Sequence, residues 1–257
     1  MTDTQKPQKL RYDEGCLGAH ALNLVGDRWA LLVVRELMFA PKRFQMIRAG
    51  LPGLTASVLT QRLGQLVDVG VVEHDSDFGI YQLSDNGRML MPVLIELCRW
   101  ALLMPGHDHM RFISASALMI SIGATVAQDR AAGRGLRAGM VIGREGFEVS
   151  LSDTGLPLVT ASKKIEADFT LSAQTGNDMA MVVYGPMSVA DAVASGLVVL
   201  HGDMAAAQAF VDLFSLTPNP KADQAFSSSE SPEVTEHAPG LSSSSNSSTT
   251  PPRTSMA

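Results

Sequence analysis

A tight turn, Gly50-Leu51-Pro52-Gly53, lies between two short helical patterns and constrains this chain more than any other feature. Ahead of it, Phe44 to about Ala49 reads as a short helix. Behind it, Leu59, Leu63 and Leu66 fall at i, i+4 and i+7 of a helix that Thr55 can cap. That stripe is built for burial, while Ser57, Thr60, Gln61 and Arg62 project elsewhere and can all hydrogen-bond. A short helix, a glycine turn and a polar-faced helix are the parts of a helix–turn–helix.

The flanking pattern supplies the rest of a winged helix over residues 1–105. Leu17 to Val25 reads as a helix broken by Gly26, and Asp27 can cap the next, Arg28 to Phe39. That helix is apolar on nearly all sides, which marks a core element, and Pro41 stops it. After Gly70, Val71 to His74 and Ile80 to Leu83 read as two strands of a hairpin, the wing. A long helix follows from about Gly87 to Leu103, too apolar to be solvated on every face, and part of it is expected to bury against a second copy of the chain.

Charge bears on the partner. The net charge of −6 argues against nucleic acid when taken whole, but residues 1–105 carry 11 basic and 11 acidic side chains. From Leu37 to Val67 there is no acid and there are four bases, Lys42, Arg43, Arg48 and Arg62. A local basic stripe is what phosphate contact requires. Double-stranded DNA is the expected partner, with Arg62 and Gln61 reaching base edges or phosphates and Arg43, Thr55, Ser57 and Thr60 positioning the helix. The short wing carries Asp75 and Asp77, which repel a phosphate backbone.

These residues together resemble the HxlR-type winged-helix regulators. The resemblance runs from Cys16 through Gly26-Asp27-Arg28-Trp29, Arg35-Glu36-Leu37, Lys42-Arg43-Phe44 and Leu51-Pro52-Gly53-Leu54. It continues through Leu59-Thr60-Gln61-Arg62-Leu63, Leu66, Gly70, Tyr81-Gln82-Leu83-Ser84, Gly87 and Trp100. It implies a dimeric DNA-binding protein whose helix Ala56 to Val69 enters the major groove. Some regulators of this type use a cysteine near position 16 as a thiol switch. Cys16 is therefore a redox candidate, although its apolar and small neighbours favour a buried, inert thiol.

Residues 106–220 change character, with glycine turns, alternating strands and helices. Phe147-Glu148-Val149-Ser150-Leu151 alternates as a half-buried strand, and 156–161 and 167–172 read as further strands. Gly196-Leu197-Val198-Val199 through Gly202-Asp203 to Leu213-Phe214 resembles the sterol-carrier-protein-like fold. That resemblance implies a small α/β domain enclosing an apolar cavity. Phe147, Phe169, Met181, Tyr184, Met187, Phe210 and Phe214 are candidates to line it around a lipid-like or other apolar effector, or else to close a solid core. The fold class expected is α+β: a winged helix, a small α/β domain, and a disordered Ser/Thr/Pro-rich tail over 221–257.

Other classes find little support. Gly133-Arg134-Gly135-Leu136-Arg137-Ala138-Gly139 lacks the lysine and spacing of a phosphate loop and reads as a basic loop. His107-Asp108-His109 reads as a polar link rather than a metal site. No catalytic constellation, cofactor motif or metal set stands out, so an enzyme is not expected. Two cysteines and a polar start without an apolar leader point to the cytoplasm. Phe112 to Gln128, 17 uncharged residues with several serines, suits a buried helix better than a membrane span. The alternative function is a lipid carrier that uses its winged helix only to dimerise.

Overall fold

The computed structural model describes residues 12–217, and the tail expected over 221–257 lies outside them. The first half is α1 (Leu17–Val25), α2 (Ala30–Leu37), β1 (Lys42–Arg43), α3 (Phe44–Ala49), α4 (Ala56–Asp68), β2 (Val72–Asp75), β3 (Ile80–Leu83), α5 (Asp85–Arg88) and α6 (Met91–Leu102). It is a winged helix. Leu59, Leu63 and Leu66 of α4 are at most 1% exposed and share a core with Val33, Val34 and Ile47. The hairpin of β2 and β3 takes β1 on its outer edge, giving an antiparallel sheet in the order β1-β3-β2.

Two expected helices differ in the structure. Asp27 does not cap α2, which starts at Ala30 without a side-chain cap; its carboxylate is drawn to Arg62 instead. The helix expected over 87–103 divides into α5 and α6. Ser84 caps the first by accepting from Gly87 N at 3.1 Å, and Pro92 starts the second, where a missing N–H costs nothing. Gly87 is needed for closeness, since a Cβ there would lie 2.2 Å from the Val71 carbonyl.

The second half contains α7 (Ala115–Thr125), α8 (Gln128–Ala131), β4 (Arg137–Ile142), β5 (Glu145–Leu151), β6 (Pro157–Ala161) and β7 (Phe169–Ala173). It ends with α9 (Gly176–Tyr184), α10 (Val189–Ala194), β8 (Val199–Gly202) and α11 (Met204–Val211). The five-stranded sheet runs β6-β5-β4-β7-β8, antiparallel except for the parallel pair β4–β7. Its central strand β4 includes the end of the expected basic loop. Ala138, Met140 and Ile142 alternate inward there, at most 5% exposed. Gly139 faces the other way, where a Cβ would come within 2.5 Å of Ile165 and Thr170.

Helix α7 occupies the stretch of serines and apolar residues and is buried on nearly every face. Ile120 packs into the winged-helix core, while Leu118, Met119 and Ile122 pack into the sheet's core. Phe39, just after α2, meets Phe147 of β5 edge to face at 5.7 Å. Among the described residues no helix is long and apolar enough to cross a membrane.

Candidate nucleic-acid interface

With its leucines buried, α4 turns a row of small hydrogen-bonding groups outward. Thr55 Oγ1 accepts from Val58 N at 3.4 Å and lies 3.2 Å from Ser57 Oγ, so the two hydroxyls build the start of the helix. Thr60 Oγ1 donates to Ala56 O at 3.0 Å, which uses its proton and leaves its lone pairs open. Gln61 is exposed and makes no hydrogen bond among the described residues. A free carboxamide offers one donor and one acceptor side by side, the pair needed to read an adenine edge.

The four bases of the acid-free run have different fates. Arg43 and Arg48, at the two ends of α3, are exposed and form no ion pair among the described residues. Arg62 is only 16% exposed; it is paired with Asp27 and hydrogen-bonded to Gln65. Its Nε is buried without a partner. This side chain ties α4 to the start of α2 rather than extending toward a ligand. Lys42 is 3% exposed and belongs to a buried cluster. A run without acids in sequence therefore meets acids in space, because Asp27, Glu36 and Glu145 enter from other elements.

The cluster centres on Glu36, 1% exposed. Its Oε1 accepts from Arg35 Nε at 3.1 Å, from Arg35 Nη2 at 2.9 Å and from Ser114 Oγ at 2.6 Å. Its Oε2 faces Lys42 Nζ at 3.4 Å, and Lys42 also donates to Ser116 Oγ at 3.0 Å and pairs with Glu145 at 2.7 Å. Arg35 Nη2 further donates to Gly50 O at 3.2 Å. A Cβ on Gly50 would lie 2.2 Å from the Glu36 carboxylate, so the turn ahead of α4 rests directly on the cluster. Sequence reasoning noted Arg35, Glu36 and Lys42 without giving them this role; nothing local announces that Ser114, Ser116 and Glu145 complete it.

At the wing, Asp75 Oδ1 accepts from the Asp77 and Phe78 amides at 3.1 and 3.2 Å, and Gly79 adopts φ +62°. The first wing carboxylate is thus spent on closing the turn.

The seven effector candidates divide into two groups. Phe147, Phe169, Phe210 and Phe214 are at most 6% exposed and sit in the core of the second half. Phe210 contacts Phe169 at 5.6 Å and Phe214 at 5.0 Å, edge to face. Met181, Tyr184 and Met187 are partly exposed, with Tyr184 and Met187 packed against the margin of that core. Tyr184 Oη lies 3.1 Å from Thr125 Oγ1, and burial pushes its phenol well above the ordinary range. Cys16, expected from its neighbours to be buried, is instead exposed at the start of α1. Its side chain makes no capping bond, but the nearby amides of Ala19 and Gly18 draw the thiol below its ordinary pKa. Cys98 is partly buried, and desolvation pushes its thiol up.

Comparison with known proteins bears on the winged-helix half of the molecule. The HxlR-like helix-turn-helix family model matches residues 24–107. The HTH-type transcriptional regulator YvaP of Bacillus subtilis is 38% identical over 86 residues, which cover 32% of this chain and 80% of YvaP. This chain belongs to the HxlR-like family. A second relative, the HTH-type transcriptional regulator Rv3095 of Mycobacterium tuberculosis, is 36% identical over 92 residues, 34% of this chain and 58% of that protein. The crystal structure of quinone-bound YodB from B. subtilis aligns at 34% identity over 33% of this chain and 94% of its own, with a TM-score of 0.31. The HxlR-like match ends at residue 107, so Ser114, Ser116 and Glu145 join the Glu36 cluster from beyond it.

Proposed function

We propose that this chain is a sequence-specific DNA-binding transcription regulator that acts as a homodimer in the cytoplasm. The observation that carries the reading is the outward row Ser57, Thr60 and Gln61 on a capped, well-anchored helix, flanked by the exposed guanidinium groups of Arg43 and Arg48. In this reading α4 enters the major groove, Gln61 contacts a base, and Thr55, Ser57, Thr60 and Arg43 position the helix on phosphates. Arg62 acts indirectly, by holding α4 against α2. Relatives named as HTH-type transcriptional regulators support it.

Dimerisation is supported by an apolar stripe that no described residue covers. Met89, Val93, Leu97, Trp100 and Met104 recur at helical spacing along α6 and its ends and are 41–75% exposed. Leu17 and Leu22 of α1 are exposed as well. A two-fold pair along such a stripe would set two α4 helices about one DNA turn apart. We assign residues 106–220 a sensing role toward a lipid-like or other hydrophobic small molecule. Cys16 adds a route for oxidant control, since a thiol with lowered pKa is the more reactive one.

Selection of genomic fragments by the purified full chain, followed by footprinting, tests the main reading. The expected result is one or more protected inverted repeats whose binding weakens steeply with salt. Absence of any protected site at low salt overturns it. Light scattering should give twice the chain's mass, and Trp100→Glu should lower it to one.

A further inference from the structure

A cavity of about 350 Å³ lies between the winged helix and the second half, at the small end of the range that holds organic ligands. Trp29 and Leu32 of the α2 region, Leu51 and Pro52 of the turn ahead of α4, and Phe112 and Tyr184 from the second half line it. Arg35 borders the same space. Its Nε and Nη2 are engaged by Glu36 and Gly50, while Nη1 has no hydrogen-bond partner among the described residues. His107, His109 and Arg111 also border the cavity, and Arg111 pairs there with Asp108 at 3.1 Å as Arg35 pairs with Glu36.

We infer that this cavity is an effector site for a small amphipathic organic anion: an apolar ring body carrying one carboxylate or phenolate oxygen. Aromatic walls on both sides suit the ring. A guanidinium with an uncommitted N–H suits a planar oxyanion better than any other single group. The inference deepens the regulator reading and rests on it for the response. An oxyanion on Nη1 pulls on the same rigid guanidinium whose Nη2 and Nε hold Gly50 O and the Glu36 carboxylate, the two contacts that seat the 50–53 turn. Five residues after Gly50 comes Thr55, the cap of α4. Occupancy is thereby read as a shift in the start of the recognition helix, and the ligand favours whichever turn position leaves Arg35 free to bind it.

The test uses the full chain and three matched probes, 4-tert-butylbenzoate, 4-tert-butylbenzamide and 4-tert-butylbenzylammonium, followed by calorimetry. The benzoate should bind at least about tenfold more tightly than the amide, and the ammonium not at all. Ala180 borders the cavity from α9 and is partly exposed. Ala180→Phe and the milder Ala180→Met should weaken benzoate binding in that order while keeping wild-type circular dichroism. Saturating benzoate should change operator affinity about fivefold or more. Equal binding of the three probes, or undiminished binding by both folded variants, overturns the site. Selective binding with unchanged operator affinity overturns its effector role. Selective binding by a chain that selects no DNA upholds the site and overturns the regulator reading.

Discussion

Glu36 and Gln61 are polar side chains on two helices of one winged helix, and their surroundings are opposite. The Glu36 carboxylate is 1% exposed and shared among Arg35, Lys42 and Ser114. The Gln61 carboxamide is exposed and has no such partner. A buried charge whose hydrogen bonds are all used inside the protein contributes to fixing the fold. An exposed amide left open on a rigid helix contributes nothing to the fold and keeps its capacity for another molecule. Arg62 shows why residue type alone does not separate the two roles: it lies next to Gln61 in sequence and belongs with Glu36 in its behaviour.

The largest effect should come from the cluster. Glu36→Ala leaves two cations without their shared anion and should cost ~3–5 kcal/mol of stability, read by urea denaturation. A loss below ~1 kcal/mol would mean the cluster behaves as a hydrated surface pair and would break the contrast.

Next come the two neighbours on α4. Arg62→Ala should cost ~1–3 kcal/mol of stability and lower affinity evenly across single-base variants of the operator. Gln61→Ala should leave stability within ~0.5 kcal/mol while costing ~1–3 kcal/mol of affinity at one base position. Exchange of these two signatures would reverse the assignment of reader and clamp.

Smaller still, Arg43→Ala and Arg48→Ala should each reduce the slope of log affinity against log salt by about 1, with stability unchanged. An unchanged slope would place both side chains off the phosphate backbone.

The last effect is kinetic. The thiolate is the nucleophile, and the Cys16 pKa is lowered by neighbouring amides while that of Cys98 is raised by burial. Alkylation by iodoacetamide followed against pH should reach half its maximal rate at lower pH for Cys16 than for Cys98. The reverse order would remove the basis for oxidant control at Cys16.

The winged helix was largely legible because its signals are local. The Leu59, Leu63 and Leu66 spacing, the Thr55 cap and the Gly50–Gly53 turn each act within a few residues. Strand β1 was not legible, since Lys42 and Arg43 become a strand only by pairing with Tyr81 and Ile80. Strand β4 was hidden in the same way: Arg137 to Ile142 has little β-branched character and is held by neighbours on both sides. At the site, the outward residues Ser57, Thr60 and Gln61 followed from helical periodicity. The fates of Arg62 and Lys42 did not, because their acidic partners stand 35 and, for Glu145, about 100 residues away along the chain.

Helix α7 contributes Ile120 to one core and Leu118, Met119 and Ile122 to the other. Its amides therefore cannot reach deuterium unless both halves loosen. Hydrogen exchange should find α7 among the slowest segments and a single cooperative opening where two separable modules would give two. A winged helix excised at residue 105 would lose Ser114 from Glu36 and Ile120 from its core. The second half is then no interchangeable cartridge, and a chimera that swaps it must carry α7 along with the recognition helix it helps to seat.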